Sequence, residues 1–191
     1  MEAHISTKKI AVLGGGNGAF ATAGDMALAG HSVRMWTAFP HEVERLFETK
    51  TITLQDLGRI GEAKIDLVTE DLAEAVKGAD VIFSPSPAFS QEDIAKRLGP
   101  HVEDKQVIQL CPGSMGSYVI GKILKENGWW RDIAIAEPGT LPYLTRKLSP
   151  TDVLMSGHAV KLPLGVFPAK KTETAIDILR RVSETMSQFR D

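Results

Sequence analysis

Near the N-terminus a short apolar run, Lys9-Ile10-Ala11-Val12-Leu13, breaks off into Gly14-Gly15-Gly16-Asn17-Gly18-Ala19, and this junction constrains the chain more than any other feature. Such a run suits a strand buried on both faces of a parallel sheet. Beyond it, Asn17 to Ala29 is alanine-rich, with Ala19, Ala23, Met26, Ala27 and Gly30 recurring at three- and four-residue spacings. That pattern predicts a helix with a thin face, able to lie close on a sheet. Gly30 ends the helix, and Ser32-Val33-Arg34-Met35-Trp36 reads as a second strand, completing a strand-helix-strand unit.

Gly14, Gly16 and Ala19 occupy the first, third and sixth positions of the dinucleotide-binding fingerprint, with alanine in the last place. Gly14 permits the tight turn out of the strand, and Gly16 lets backbone approach a pyrophosphate with no side chain in the way. Ala19 is small enough for close helix-to-strand packing. The helix N-terminus then offers free N–H groups and a partial positive charge to phosphates. Gly14, Gly15, Gly16, Asn17, Gly18 and Ala19 are therefore the expected cofactor-binding turn, and NAD or NADP the expected cofactor. A carboxylate about 20 residues further on commonly bonds the ribose hydroxyls, yet Met26 to His41 contains none. Thr37 stands in that place, with a hydroxyl suited to a ribose or a phosphate. His41 and Arg45 follow as candidates for a 2′-phosphate, so NAD and NADP stay as alternatives.

The remaining pattern alternates. Helices are expected over Pro40 to Glu48, Asp71 to Lys77, Gln91 to Leu98, Gly116 to Asn127 and Thr172 to Phe189. Strands are expected over Asp80 to Ser84, Gln106 to Leu110 and Ile133 to Ala136. Thr51 to Val68 reads as a small hairpin leading into a short strand, and Asp152 to Met155 with Ala159 to Leu164 as an antiparallel pair at the sheet edge. The fold class is α/β: a Rossmann-type, doubly wound, mostly parallel sheet with an antiparallel edge pair. In that fold the turns Pro85-Ser86-Pro87 and Pro112-Gly113, each following a strand, border the ligand crevice at the carboxyl edge. Pro85, Ser86, Pro87 and Gly113 join the cofactor-binding candidates.

A chain of 191 residues with 43% hydrophobic content suits one core and one domain. Its 22 basic and 24 acidic residues give a net charge of -2, with no basic excess to attract nucleic acid or an anionic membrane. Cys111 stands alone, so a reducing, cytoplasmic setting is expected and an intrachain disulfide is excluded. Met1 to Lys9 has no stretch of signal-peptide character. There is no metal-ligand spacing, internal repeat or flexible linker.

Four stretches together carry a resemblance: Ile10 to Leu28, Gly78-Ala79-Asp80-Val81-Ile82, Pro112-Gly113-Ser114-Met115-Gly116, and Ile135-Ala136-Glu137-Pro138-Gly139-Thr140-Leu141-Pro142-Tyr143. Over almost its whole length the chain resembles the octopine/nopaline (opine) dehydrogenases. The glycine turn is shared with many dehydrogenases, whereas Glu137 to Arg146 and the Pro-Gly-x-x-Gly turn are more specific. The resemblance implies an enzyme that joins an amino acid to a 2-oxo acid and reduces the resulting imine with NADH or NADPH. It also implies a Rossmann domain followed by a mostly helical second domain that supplies the catalytic His and its acidic partner. These 191 residues are expected to be the cofactor domain alone, able to bind but not to turn over, with possible self-association through the crevice edge near Phe83, Phe89 and Leu141.

No catalytic residue is assigned, since His4, His31, His41, His101 and His158 all fall where exposed or core histidines are the simpler reading. The resemblance places Glu137 and Thr140 on the substrate side. Glu137 suits contact with the amino acid or, equally, a turn cap shared with Thr140. The alternatives are a ketopantoate reductase-like or glycerol-3-phosphate dehydrogenase-like enzyme with the same first half, or a stand-alone nucleotide-binding module.

Overall fold

In the computed structural model of the chain, residues 7–57, 59–182 and 189–190 are described. From the N-terminus, β1 (Lys9–Leu13) leads through the glycine turn into α1 (Asn17–Leu28) and β2 (Ser32–Trp36). A 3-10 turn over Pro40–Glu42 and α2 (Glu44–Thr49) precede the hairpin of β3 (Thr51–Asp56) and β4 (Arg59–Lys64), which runs into the short β5 (Leu67–Thr69). Helices and strands then alternate through α3 (Leu72–Val76), β6 (Val81–Ser84), α4 (Gln91–Leu98), β7 (Val107–Leu110), α5 (Gly116–Glu126) and β8 (Ala134–Pro138). Next come β9 (Tyr143–Lys147), β10 (Asp152–His158), β11 (Leu162–Phe167), α6 (Thr172–Arg180) and the two-residue β12 (Phe189–Arg190).

The main sheet has the order β12-β11-β8-β7-β6-β1-β2-β5. Its six parallel strands, read from β5 to β8, follow the doubly wound order of dinucleotide-binding folds, so the direction of winding reverses between β1 and β6. Ile10 and Val12 of β1 join the core under α1 and α6, while Ala11 and Leu13 join the core under α3, α4 and α5. Burial on both faces explains the unbroken apolar run. At the edge, β11 pairs antiparallel with β8 through Leu164↔Pro138 to Phe167↔Ile135, and β12 adds in parallel.

A second sheet, β4-β3-β10-β9, covers the opposite side of α1. The helix is thus enclosed between two sheets: Ala19, Phe20, Ala21, Thr22, Ala23, Gly24 and Met26 are all buried. Close packing demands the small residues seen there, and a Cβ at Gly61 of β4 would fall 2.8 Å from Leu28 Cδ1. Phe20 is the large exception, fully buried and contributing about 1.5–3 kcal/mol by leaving water.

Two sequence expectations are corrected here. The strands at 152–155 and 159–164 both form, but they do not pair with each other: β10 joins β3 and β9 in the second sheet, and β11 joins β8 in the first. Val153 and Met155 are buried in the core around α1, so the chain crosses between sheets where a hairpin would have kept it in one. The closing helix, expected to reach Phe189, is observed as far as Arg180. Residues 183–188 lie outside the described residues, and Phe189–Arg190 is a strand.

Candidate functional site

The glycine turn leaves β1 at Gly14, whose φ of +117° is accessible to glycine and strained for any other residue. Its N–H donates to the Trp36 carbonyl at 2.7 Å, fastening the ends of β1 and β2 together. Gly16 is the N-cap of α1 with ordinary negative φ. A Cβ at Gly16 would meet nothing within 4 Å, so no packing within the chain requires glycine there. The open space beside it is where a ligand would lie against bare backbone. No side chain caps α1 and no acidic residue occupies its first turn. Its leading N–H groups and positive dipole end therefore face that space, as a pyrophosphate requires.

Pro85, at the end of β6, packs on the turn with its Cβ 3.1 Å from a Cβ position at Gly18. On the other side, Gly15 lies against the 3-10 turn, 2.8 Å from Glu42 Oε2 by the same measure. A third contact comes from the second sheet. Lys147 Nζ donates to the carbonyls of Gly15 (3.2 Å) and Glu42 (2.9 Å) and stands 3.6 Å from the centre of the Phe20 ring, while its backbone N–H donates to Asn17 Oδ1 at 2.8 Å. Burial pushes the Lys147 ammonium below the usual lysine range, opposed by attraction to Glu42.

Along the same carboxyl edge, β7 leads through Pro112 and Gly113 into α5. The Gly113 N–H donates to the Pro138 carbonyl at 3.1 Å, and the buried Gln91 amide donates to the Gly113 carbonyl at 2.8 Å. Glu137 on β8 packs directly on Gly113. Its carboxylate accepts from the Ser117 N–H at 3.2 Å and the Ser117 hydroxyl at 2.9 Å, at the start of α5. Glu137 therefore caps a helix through Ser117, whereas Thr140 is exposed and takes no part in it. Ser114 and Met115, with φ of 52° and 67°, carry left-handed backbone into that helix. A groove of about 390 Å³ runs beside Glu137, Pro138, Gly139, Pro163, Leu164 and Gly165.

The parallel strands thus bring Gly14 to Ala19, Pro85, Gly113 and Glu137 to one edge, with Ser86 and Pro87 continuing the loop after Pro85. Thr37 is there too, but buried, and its hydroxyl is committed to Phe39: it donates to the carbonyl at 3.2 Å and accepts from the N–H at 3.0 Å. The Ser84 hydroxyl, at the end of β6, is buried with no partner among the described residues. Gln91, Ser117, Lys147 and Glu42 escaped the sequence reading. Glu42 lies one residue past the carboxylate-free stretch Met26 to His41.

His31 is a core residue: Nδ1 accepts from the Lys8 N–H at 3.1 Å and Nε2 lies 2.6 Å from the Val182 carbonyl. His158 pairs with Asp56 at 2.5 Å in the second sheet, and His4 lies outside the described residues. Burial pushes the Cys111 thiol up to about 12, which makes it inert. Among the described residues no group of His, Cys, Asp and Glu is placed to hold a metal ion, and no helix is long and apolar enough to cross a membrane.

Fold and glycine turn together define a Rossmann-type NAD(P)-binding domain. The family described as NAD-dependent glycerol-3-phosphate dehydrogenase N-terminus matches residues 9–127. An opine dehydrogenase of Arthrobacter sp. (strain 1C) is 33% identical over 174 residues, covering 91% of this chain and 48% of the relative. Octopine dehydrogenase, solved with NADH and L-arginine, superposes with a TM-score of 0.83 at 26% identity, over 96% of this chain and 48% of that one. A glycerol-3-phosphate dehydrogenase of Lactobacillus delbrueckii subsp. bulgaricus is 34% identical over 101 residues, or 52% of this chain and 29% of the relative. The chain belongs to the NAD-dependent glycerol-3-phosphate dehydrogenase N-terminal family, and it is a cofactor domain of the opine dehydrogenase kind. It spans about half the length of the curated relatives it matches.

Proposed function

We propose that this domain serves an oxidoreductase that condenses an amino acid with a 2-oxo acid and reduces the product with NADH or NADPH. The observation that carries this reading is the reach of the likeness. Similarity to an opine dehydrogenase covers 91% of the chain, against 52% for a glycerol-3-phosphate dehydrogenase. Octopine dehydrogenase itself has been solved with NADH and L-arginine and with NADH and pyruvate.

In this reading the turn Gly14 to Ala19, with the N-terminus of α1, holds the pyrophosphate; Pro85, Ser86, Pro87 and Gly113 border the nicotinamide side; Thr37 shapes the ribose-side loop. The bound cofactor supplies a hydride. Glu137 and Thr140 line the substrate side, Glu137 also fixing α5. A helical second domain brings the general acid/base, so residues 1–191 bind without turning over. A reducing, cytoplasmic location agrees with the lone buried Cys111. Self-association of the domain would proceed through the exposed crevice edge.

The test is cofactor oxidation by the gene product carrying these residues. Consumption of NADH or NADPH with an amino acid and pyruvate together, and with neither alone, is expected. Consumption with dihydroxyacetone phosphate instead would overturn the reading in favour of the glycerol-3-phosphate dehydrogenases.

A further inference from the structure

The end of β2 is where such folds usually place a carboxylate for the ribose hydroxyls, and here that place holds Thr37, whose hydroxyl is turned inward onto Phe39. The chain continues into the 3-10 turn Pro40–Glu42 and folds back, so that the Glu42 side chain lies against Gly15 of the glycine turn. Two interactions hold it there: the Glu42 N–H donates to the Phe39 carbonyl at 2.9 Å, and Lys147 bridges the Glu42 and Gly15 carbonyls. The Glu42 carboxylate is exposed and has no hydrogen-bond partner among the described residues. It flanks both the end of β2 and the cofactor turn, with its acceptor oxygens uncommitted.

The surrounding charges are equally informative. Glu44 and Glu70 line the adjoining hollow of about 380 Å³ with Pro40, His41 and Phe47. The neighbouring cations lie on the exposed surface: Arg45 pairs with Glu48 at 2.5 Å, and His41 packs edge-on against Phe39. Lys147 directs two of its three donors to backbone carbonyls.

We infer that Glu42 is the residue that selects NADH over NADPH, accepting from the adenosine ribose hydroxyls and repelling a 2′-phosphate; this rests on the nucleotide-binding reading of the glycine turn. A carboxylate supplied from a 3-10 turn replaces the one ordinarily found at the strand end.

The experiment is titration of wild type, Glu42→Gln and Glu42→Ala with NADH and NADPH in parallel, each variant first checked for an unchanged circular dichroism spectrum. Wild type is expected to bind NADH at least about tenfold more tightly than NADPH, and each variant to narrow that ratio by about tenfold or more, the range set by one charged hydrogen bond. In Glu42→Gln the change falls mainly on NADPH, which gains; in Glu42→Ala NADH also weakens. A wild-type preference for NADPH, or an unchanged ratio in both variants, overturns the assignment to Glu42 while leaving the site intact. Wild type binding neither cofactor overturns the nucleotide-binding reading and this inference with it.

Discussion

Glu137 holds the first turn of α5 through Ser117, accepting from both its backbone N–H and its hydroxyl although the two residues stand 20 positions apart. The carboxylate does for this helix what a capping side chain does elsewhere, and it favours the positive end of the helix dipole. Glu137→Ala is expected to lower stability by about 1–2 kcal/mol, as loss of a cap does. Denaturant unfolding of Glu137→Ala, Ser117→Ala and the double variant checks it. The double variant should fall short of the sum of the two losses; strict additivity would mean the contact contributes nothing.

Acid should loosen the domain through His31. Burial lowers its pKa in the folded chain, so below the unfolded value the unfolded state binds the additional proton. The stability contributed by neutral His31 is complete above about pH 6.5, the unperturbed histidine value, and is lost as pH falls toward the folded value. The bonds to the Lys8 N–H and the Val182 carbonyl require a proton on Nε2 alone, and a second proton would break the first. Unfolding midpoints measured across this window should fall with pH in wild type and fall less in His31→Gln. Equal slopes would mean that His31 does not cause the loss.

The cofactor half of the site was legible because its physics is local. A buried parallel strand must be apolar, a turn with φ of +117° needs glycine at Gly14, and a backbone offered to phosphate needs Gly16. The hairpin of β3 and β4 and the strand at 152–155 were legible, but their union in a second sheet was not, because β3 and β10 pair through residues about a hundred positions apart and nothing in either strand names its partner. β9 also hides: its burial alternates, but Leu144 faces outward, 69% exposed, and Lys147 faces inward, so the residue types do not mark the two faces. Lys147 became a site residue only once that sheet closed over α1, and Glu42 only once the 3-10 turn folded back on Gly15.

Phe89, Met115, Tyr118 and Leu141 are exposed near the crevice edge, Phe89 at 88%, whereas Phe83 is fully buried in the core. Association at this edge should therefore run through Phe89 and not Phe83. Sedimentation of residues 1–191 is expected to show concentration-dependent self-association that weakens in Phe89→Ser and Met115→Ser. A monomer at all concentrations would contradict it.

Bare backbone at Gly16 is expected to receive a pyrophosphate. Calorimetric titration of wild type and Gly16→Val with NADH and NADPH tests it most directly. A Cβ at Gly16 meets open space, so the variant should fold with little loss of stability, and its branched side chain should fill the cradle and abolish binding. Saturable binding by wild type and none by a folded Gly16→Val is the predicted result. Equal binding by both, or none by wild type, would mean that the glycine turn does not hold the pyrophosphate.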